Sequence, residues 1–248
     1  RVRTAQHTLL YDAGPRWGPD SDAGHRVLLP LLRRDNERLD LLLLSHRDTD
    51  HTGGAAAVLA QQPLAEVLSS LEPGHELAPA RSHRRCEAGQ HWEWDGVRFV
   101  VLHPDASDYR TWTPPRPNAL SCVLRVTSAD GRSALLTGDI ELAQEAALLA
   151  RQPQALAAHV LLVPHHGSRT SSSEAFLDAV APRTAWVQAG YRNRFGHPNE
   201  GVMNRFRARA IDIRESPQCG AIGWQSDAPQ RVTCEREAGR RYWHHVPH

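Results

Sequence analysis

Four side chains that can bind a metal ion fall within six residues of one another, in the segment Ser-His-Arg-Asp-Thr-Asp-His-Thr-Gly-Gly at positions 45–54. Imidazole and carboxylate groups are common ligands of divalent ions in proteins. The Gly53–Gly54 pair that follows lets the backbone pass close to a bound group. The segment therefore predicts a divalent metal site, in preference to a surface turn rich in Asp and His. The four side chains are His46, Asp48, Asp50 and His51.

The elements around this segment follow from its flanks. Residues 39–44 are almost entirely leucine and predict a fully buried strand, and a helix is predicted to start with residues 55–60. Three more apolar strands are predicted at 133–137, 159–163 and 184–188, followed by helices at 142–150, 173–180 and 199–210. A potential ligand or proton donor follows each strand, in Gly138-Asp139, in Pro-His-His-Gly-Ser at 164–168, and in a loop with Asn193 and Gly-His-Pro at 196–198.

The order of these motifs resembles the metallo-β-lactamase superfamily. Within it, the chain is similar to the C-terminal domain of ComEC, the inner-membrane DNA-uptake channel of competent bacteria, over about residues 8–209. The resemblance implies an α/β fold, a four-layer αββα sandwich with its metal site along one edge of two packed sheets, here with a small C-terminal strand extension. It also implies degradation of the DNA strand that is not imported.

The family pattern carries over residue by residue. Asp48 stands where the superfamily usually has a second histidine. The ComEC-like branch shares this replacement of histidine by aspartate. Asp139 falls at the metal-bridging carboxylate and His165 at the late ligand histidine, with its neighbour His166 as the alternative. Asn118 falls at the spacing where another ligand histidine is common in the superfamily. The only histidine in this region of the sequence, His103, lies too early to take that position. The implied metal ligands are His46, Asp48, Asp50, His51, Asp139 and His165.

This ligand set mixes three carboxylates with three imidazoles. Oxygen-rich sets favour harder ions, so we expect two divalent ions, Mn²⁺ first, with Zn²⁺ or Mg²⁺ as alternatives. Asp50 would also orient the attacking water, and His197 or His166 would give a proton to the leaving oxygen. Asp12 either supports the ligands by hydrogen bonding or is a turn aspartate.

Composition limits the choice of substrate. The formal net charge is only +1, so the chain lacks the basic excess of a dedicated duplex binder, and all 29 basic residues are arginine. The loop 191–195, Tyr-Arg-Asn-Arg-Phe, either holds a single strand of DNA by charge and stacking or is a solvated loop. The residues predicted to bind substrate are Asn118, Ser168, Arg192, Asn193 and Arg194. Trp112 either stacks on a base or anchors its proline-rich loop.

Two domains are predicted, a hydrolase domain at 1–210 that lacks its first strand and an extension at 211–248 packed on it. The abrupt start suggests a soluble fragment of a longer protein whose missing part holds the membrane helices, because no apolar run here approaches the roughly 18–20 residues of a span. The resemblance then implies a domain tethered to the inner membrane on its periplasmic side. Its partners would be DNA, the transmembrane channel of the same polypeptide and other competence proteins.

The cysteines bear on the compartment. Cys219 and Cys234 bracket two short strand-like runs and are expected to form a disulfide, a bond that persists in the periplasm and rarely in the cytosol. Cys122 lies in an apolar segment and is expected to be a buried free thiol.

The function predicted from these observations is that of a metal-dependent phosphodiesterase, a DNA exonuclease domain of a competence channel. One alternative is another hydrolase on the same scaffold, such as a phosphorylcholine esterase or a lactonase. A third hypothesis is a domain that binds DNA or a partner without catalysis. Asn118 in a ligand position favours the third hypothesis, whereas intact Asp50, His51 and Asp139 argue against it.

Overall fold

The computed structural model describes residues 1–78, 83–111 and 116–240. It divides into two compact units, Arg1–Val123 and Leu124–His248. The domains at 1–210 and 211–248 stay a prediction. Trp112 and residues 241–248 lie outside the described part of the chain.

A five-stranded sheet organises the described part of the first unit. The outermost pair at its N-terminal edge is antiparallel and the other neighbours are parallel. Its strands, in spatial order, are Val2–Arg3, Thr8–Tyr11, Leu41–Leu44, Glu66–Ser69 and His83–Arg85. The four leucines of Leu41–Leu44 are at most 1 % exposed, as expected of a parallel strand covered on both faces. The predicted buried strand is therefore confirmed.

Helices and hairpins complete this unit. The helix Ala55–Gln61, predicted from the sequence, packs Ala55 and Val58 against Leu42 and Leu44. The antiparallel strands His91–Trp94 and Val97–His103 form a hairpin whose turn, Asp95 and Gly96, has positive φ at both residues. The remaining elements are the hairpin Arg16–Gly18 with Ser21–Asp22, the helices Gly24–Leu28, Leu29–Arg34, Thr49–Thr52 and Asp108–Thr111, and the 3₁₀ turn Pro117–Leu120.

The glycine pair after the His/Asp segment packs against backbone. A Cβ atom built on Gly53 would lie 2.3 Å from the Arg16 amide nitrogen, and one on Gly54 would lie 2.4 Å from the Ala13 oxygen and from the Gly24 nitrogen. Such distances exclude any side chain. The two glycines are therefore required by contact with residues 13–24, whereas the sequence suggested contact with a bound group.

The sheet of the second unit is mostly parallel. Its strands, in spatial order, are Asp212–Glu215, Thr184–Val187, Val160–Leu162, Ser133–Leu136 and Val123–Thr127, of which the last two are antiparallel. The strands predicted at 133–137, 159–163 and 184–188 are confirmed to within one residue at each end. The edge strand Asp212–Glu215 carries one apolar residue, which explains why no hydrophobic pattern predicts it.

The predicted helices of this unit are also confirmed, as Leu142–Arg151, Glu174–Val180 and Glu200–Ala208. All three begin at capping side chains: Ser173 accepts from the Phe176 amide, Asn199 accepts from the Gly201 amide, and Glu141 forms a capping box with Gln144. The shorter helical elements are Pro153–Ala155, Pro164–Gly167, Ser216–Cys219 and Glu235–Ala238. Among the described residues, no helix has both the length and the apolar character needed to cross a bilayer.

All four cysteines are paired. Cys219 bonds to Cys234 beside the antiparallel strands Ile222–Trp224 and Val232–Cys234, which confirms the expected pair. Cys86 bonds to Cys122 within the first unit, so the prediction of a free thiol at Cys122 is wrong. Cys86 directly follows the strand His83–Arg85 and is fully buried, and its Cα lies 6.2 Å from that of Cys122. A sequence separation of 36 residues gives no signal of that proximity.

Candidate metal centre

The first unit places two buried imidazoles beside one half-buried and one exposed carboxylate. His46 follows the strand Leu41–Leu44, and the short helix Thr49–Thr52 returns the chain so that the rings of His46 and His51 lie 4.1 Å apart, centroid to centroid. His46 Nε2 lies 3.6 Å from Asp48 Oδ2, and His51 Nε2 lies 3.7 Å from Asp50 Oδ2. All four predicted ligands of the segment therefore lie together.

Asp12 controls the proton positions of both histidines. Its Oδ2 lies 2.7 Å from His51 Nδ1, so that nitrogen carries the proton and donates it. Ser45 Oγ donates to the same carboxylate at 2.9 Å and lies 2.9 Å from His46 Nδ1. A hydroxyl has one proton to donate, so Ser45 accepts from His46 Nδ1. In both rings Nε2 is then the nitrogen with a lone pair.

These groups fit a divalent ion. Metal-binding histidines commonly donate their second ring nitrogen to a carboxylate, which fixes the tautomer and orients the ring. Within the described residues, the buried Nε2 of His46 makes no hydrogen bond, an arrangement that costs free energy unless a ligand is bound. Asp50 and His51 are among the side chains whose donor atoms can hold an ion.

Asp12→Asn should weaken metal binding by about 10- to 100-fold. Asparagine tolerates the left-handed backbone of Asp12, whose φ is 58°, and can still accept from the Ser45 amide. The side-chain NH₂ group of the asparagine, however, would face the Ser45 hydroxyl and His51 Nδ1, which both donate to Asp12 Oδ2. Donors would then face donors, and both hydrogen bonds would be lost. Titration of the purified chain against a competing chelator measures the loss, with circular dichroism as a check on folding.

Ser45→Ala is the matched control, because it removes the contact to His46 and leaves Asp12 on His51. We expect a smaller loss than in Asp12→Asn. Unchanged affinity in Asp12→Asn would show that Asp12 is a turn aspartate without influence on the ligands.

The second unit directs two adjacent histidines toward one aspartate. His166 Nε2 lies 3.4 Å and His165 Nε2 lies 3.8 Å from Asp139 Oδ2. Neighbouring side chains in a strand point to opposite faces, but His165 and His166 both adopt left-handed backbone, with φ values of 49° and 54°. That conformation brings both imidazoles to Asp139.

Each of these rings is held through its other nitrogen. His166 Nδ1 donates to the Gln188 carbonyl at 2.6 Å, which leaves its Nε2 unprotonated when the ring is neutral. His165 Nδ1 lies 3.3 Å from Glu141 Oε1. Asp139 and His166 are among the side chains able to hold an ion. Both histidines therefore remain candidate ligands, and the choice of His165 stays a prediction.

His197 lies beside His165, with ring centroids 5.8 Å apart. Burial, followed by the neighbouring imidazoles of His165 and His166, lowers the pKa of His197 from its usual value. The negative charge of a bound phosphate would act in the opposite direction. Within the second unit, His197 therefore lies close enough to Asp139, His165 and His166 for their charges to act on it.

The residues predicted to bind substrate differ in their surroundings. Arg192 and Arg194 lie over the rings of Tyr191 and Phe195, and the Asn193 side chain bonds to its own loop. Ser168 is buried and its hydroxyl lies 3.0 Å from Thr170 Oγ1. Asn118 occupies the turn Pro117–Leu120, where its carbonyl accepts from the Ser121 amide.

His103 is held by other groups, as its early position in the sequence suggested. Its Nε2 donates to the Ala119 carbonyl at 2.8 Å and its Nδ1 lies 3.3 Å from Asp108 Oδ2. With both ring nitrogens engaged, His103 does not replace the histidine missing at Asn118.

Sequence reasoning missed three groups that hold the candidate ligands. Ser45 relays the charge of Asp12 to His46, and its place directly before His46 was an available signal. Glu141 caps the helix Leu142–Arg151 and also faces His165. Its position at the start of the helix is a sequence signal for the capping role, but not for the contact with His165. No sequence signal could have identified the backbone carbonyl of Gln188, because every residue has a backbone carbonyl.

A family model described as the metallo-beta-lactamase superfamily matches residues 1–191. The chain belongs to the metallo-β-lactamase superfamily. Metallo-β-lactamase membership confirms the predicted fold family and supports a metal-dependent hydrolase. The metallo-β-lactamase fold protein YhfI of Bacillus subtilis has a TM-score of 0.51 at 13 % identity and covers 86 % of this chain and 85 % of that one, which supports the fold alone.

Two relatives are named for competence and for recombination. The chain is 39 % identical over 222 residues to Competence protein ComA of Neisseria gonorrhoeae, covering 89 % of this chain and 30 % of that protein. It is 37 % identical over 215 residues to Recombination protein 2 of Haemophilus influenzae, covering 86 % and 26 %. These matches bear out the predicted resemblance to competence proteins. The chain spans less than a third of each relative's length.

Proposed function

We propose that this metallo-β-lactamase domain is a metal-dependent phosphodiesterase that degrades the non-imported DNA strand during competence DNA uptake. The observation that carries the proposal is the pair of buried histidines whose tautomers Asp12 fixes and whose Nε2 atoms face Asp48 and Asp50. The relatives named for competence and recombination support DNA as the substrate.

The proposed ligand set is His46, Asp48, Asp50, His51, Asp139 and His165. Three carboxylates among six ligands favour Mn²⁺, with Zn²⁺ or Mg²⁺ as alternatives, and two ions are proposed. When bound, divalent ions supply water activation and charge stabilisation for phosphodiester hydrolysis.

Individual side chains have distinct proposed roles. The exposed carboxylate of Asp50 orients the attacking water, and Asp12 keeps the Nε2 atoms of His46 and His51 available. His197 gives a proton to the leaving oxygen. His166, held by the Gln188 carbonyl, is the alternative donor if His197 proves to be a ligand.

The surroundings of the domain are proposed from its relatives and its cysteines. As part of a longer polypeptide, it would be tethered to the inner membrane, with the transmembrane channel of that polypeptide and other competence proteins as partners. Two disulfides, Cys86–Cys122 and Cys219–Cys234, support the periplasmic side, because such bonds rarely persist in the cytosol.

The purified chain should hydrolyse labelled single-stranded DNA in a metal-dependent way, faster with Mn²⁺ than with Zn²⁺. The measurement is product formation after removal of metal and titration with each ion, accompanied by elemental analysis. Cleavage that resists chelators and ignores added metal would contradict the enzymatic proposal. Faster hydrolysis of a phosphorylcholine ester or a lactone than of DNA would instead favour another hydrolase of this fold.

A further inference from the structure

The loop Tyr191–Phe195 presents two aromatic rings and two guanidinium groups to solvent. Phe195 is 67 % exposed and Tyr191 is 42 % exposed. The Arg194 guanidinium lies 4.8 Å from the centroid of Phe195, and that of Arg192 lies 5.2 Å from the centroid of Tyr191. Residues 188–199 contain no aspartate or glutamate. This loop therefore suits a ligand that is both aromatic and anionic.

We propose that Phe195 stacks on an unpaired base of the DNA next to the bond that is cleaved, while Arg192 and Arg194 contact its phosphates. The inference rests on the proposed nuclease function and adds that the DNA is bound as a single strand with unpaired bases. Base–aromatic stacking with guanidinium contacts to the backbone is the usual way to bind single strands without sequence preference.

Asn193 makes this loop rigid. Its Nδ2 donates to the carbonyls of Gly190 and His197 at 3.0 and 2.5 Å, and its Oδ1 accepts from the amides of Phe195 and His197, both at 3.1 Å. These four bonds use both amide protons and two acceptor directions of the side chain. Asn193, predicted to bind substrate, is therefore a positioning residue, and the exposed Phe195 is held in place before any ligand arrives.

The position of Phe195 links stacking to the chemistry. Its ring is nearly parallel to that of His197, with an interplanar angle of 18° and centroids 5.9 Å apart. His197 in turn lies 5.8 Å from His165, measured between ring centroids. A base held on Phe195 is thus two ring contacts away from a proposed metal ligand.

This arrangement selects single strands. Bases in a duplex are stacked on their neighbours and offer no free face, whereas those of a single strand are open to an aromatic side chain. The small net charge of the chain, +1, also leaves little attraction for a duplex backbone. We expect duplex DNA to be cleaved only where its ends open.

The test compares Phe195→Leu with Phe195→Trp on two single-stranded oligonucleotides, one with normal bases and one abasic around the scissile bond. Phe195→Leu should lower kcat/KM for the normal strand by roughly five- to hundredfold and leave the abasic strand unchanged. Phe195→Trp should retain wild-type activity because it keeps a stacking ring. Leu64→Ala, at a side chain 75 % exposed on another loop, is the matched control.

Binding to a fluorescent strand in the presence of a chelator separates the two arginines from the ring. Arg192→Gln and Arg194→Gln should each reduce the slope of log affinity against log salt by about 0.7, whereas Phe195→Leu should weaken binding without changing that slope. An unchanged slope in both arginine variants would overturn the phosphate contacts.

The outcomes distinguish this inference from the function on which it rests. If the wild-type chain cleaves neither strand with any metal, the nuclease proposal fails, and the stacking role with it. If the wild-type chain cleaves the normal strand and Phe195→Leu matches it, the nuclease proposal stands and the stacking role is wrong. Equal wild-type cleavage of normal and abasic strands would likewise leave the nuclease proposal standing and overturn the stacking role.

Discussion

Asp139→Ala is expected to lower DNA hydrolysis by roughly a thousandfold or more, because ions that stabilise a phosphoryl transition state contribute several kcal/mol. The Asp139 carboxylate faces both His165 and His166 and is the proposed bridging ligand. Its loss should therefore reduce the bound metal as well as the rate. Elemental analysis and single-strand hydrolysis, measured on the same preparation, test both effects.

Asp130→Ala serves as the control, since Asp130 is an exposed aspartate in the same unit that bonds to Ser128 at a turn. It should leave the rate and the metal content unchanged. Asp48→Ala should have an intermediate effect if Asp48 binds only the weaker of the two ions. Full activity in Asp139→Ala would show that Thr-Gly-Asp is an ordinary turn.

His197→Ala is expected to lower the rate by about 10²- to 10⁴-fold, the usual contribution of a general acid. DNA affinity should stay largely intact, because the arginines of the neighbouring loop remain. A substrate whose leaving group needs no proton, such as a nitrophenyl phosphodiester, should be hydrolysed with a much smaller loss. Steady-state rates on both substrates give the comparison.

The metal content of this variant decides between two roles of His197. An unchanged content together with the expected rescue supports proton donation. If metal is lost instead, His197 is a ligand and the proton donor should be sought at His166. His91→Ala, at an exposed histidine of the hairpin in the first unit, should change neither quantity.

Much of the fold could be predicted because the strands that hold the candidate ligands are almost purely apolar. Leu41–Leu44 and Val160–Leu162 are buried parallel strands, and buried parallel strands have a composition that differs sharply from loops. Polar residues directly after such strands were then natural candidates for a site. The order of the motifs at 45–54, 137–139, 164–168 and 196–198, taken as a set, indicated the superfamily.

What the sequence could not predict depends on backbone conformation and on distant contacts. Strand alternation gives no means of choosing between His165 and His166, because left-handed backbone turns both toward Asp139. Asn193 looked like a substrate contact since its four hydrogen bonds are invisible in a linear chain. Cys86 and Cys122 meet only because separate elements bring them together.

The close packing at Gly53 and Gly54 has a mechanical consequence. The Ala13 amide donates to the His51 carbonyl at 2.7 Å, and the Gly54 amide donates to Gly14 at 3.2 Å, in addition to the contacts that exclude a Cβ. Backbone against backbone has no side chain that can rotate to absorb a displacement. A ligand that displaces the hairpin beginning at Arg16 would therefore also displace the short helix Thr49–Thr52, which carries His51. A displacement at the surface would thus reach this imidazole without an intervening hinge.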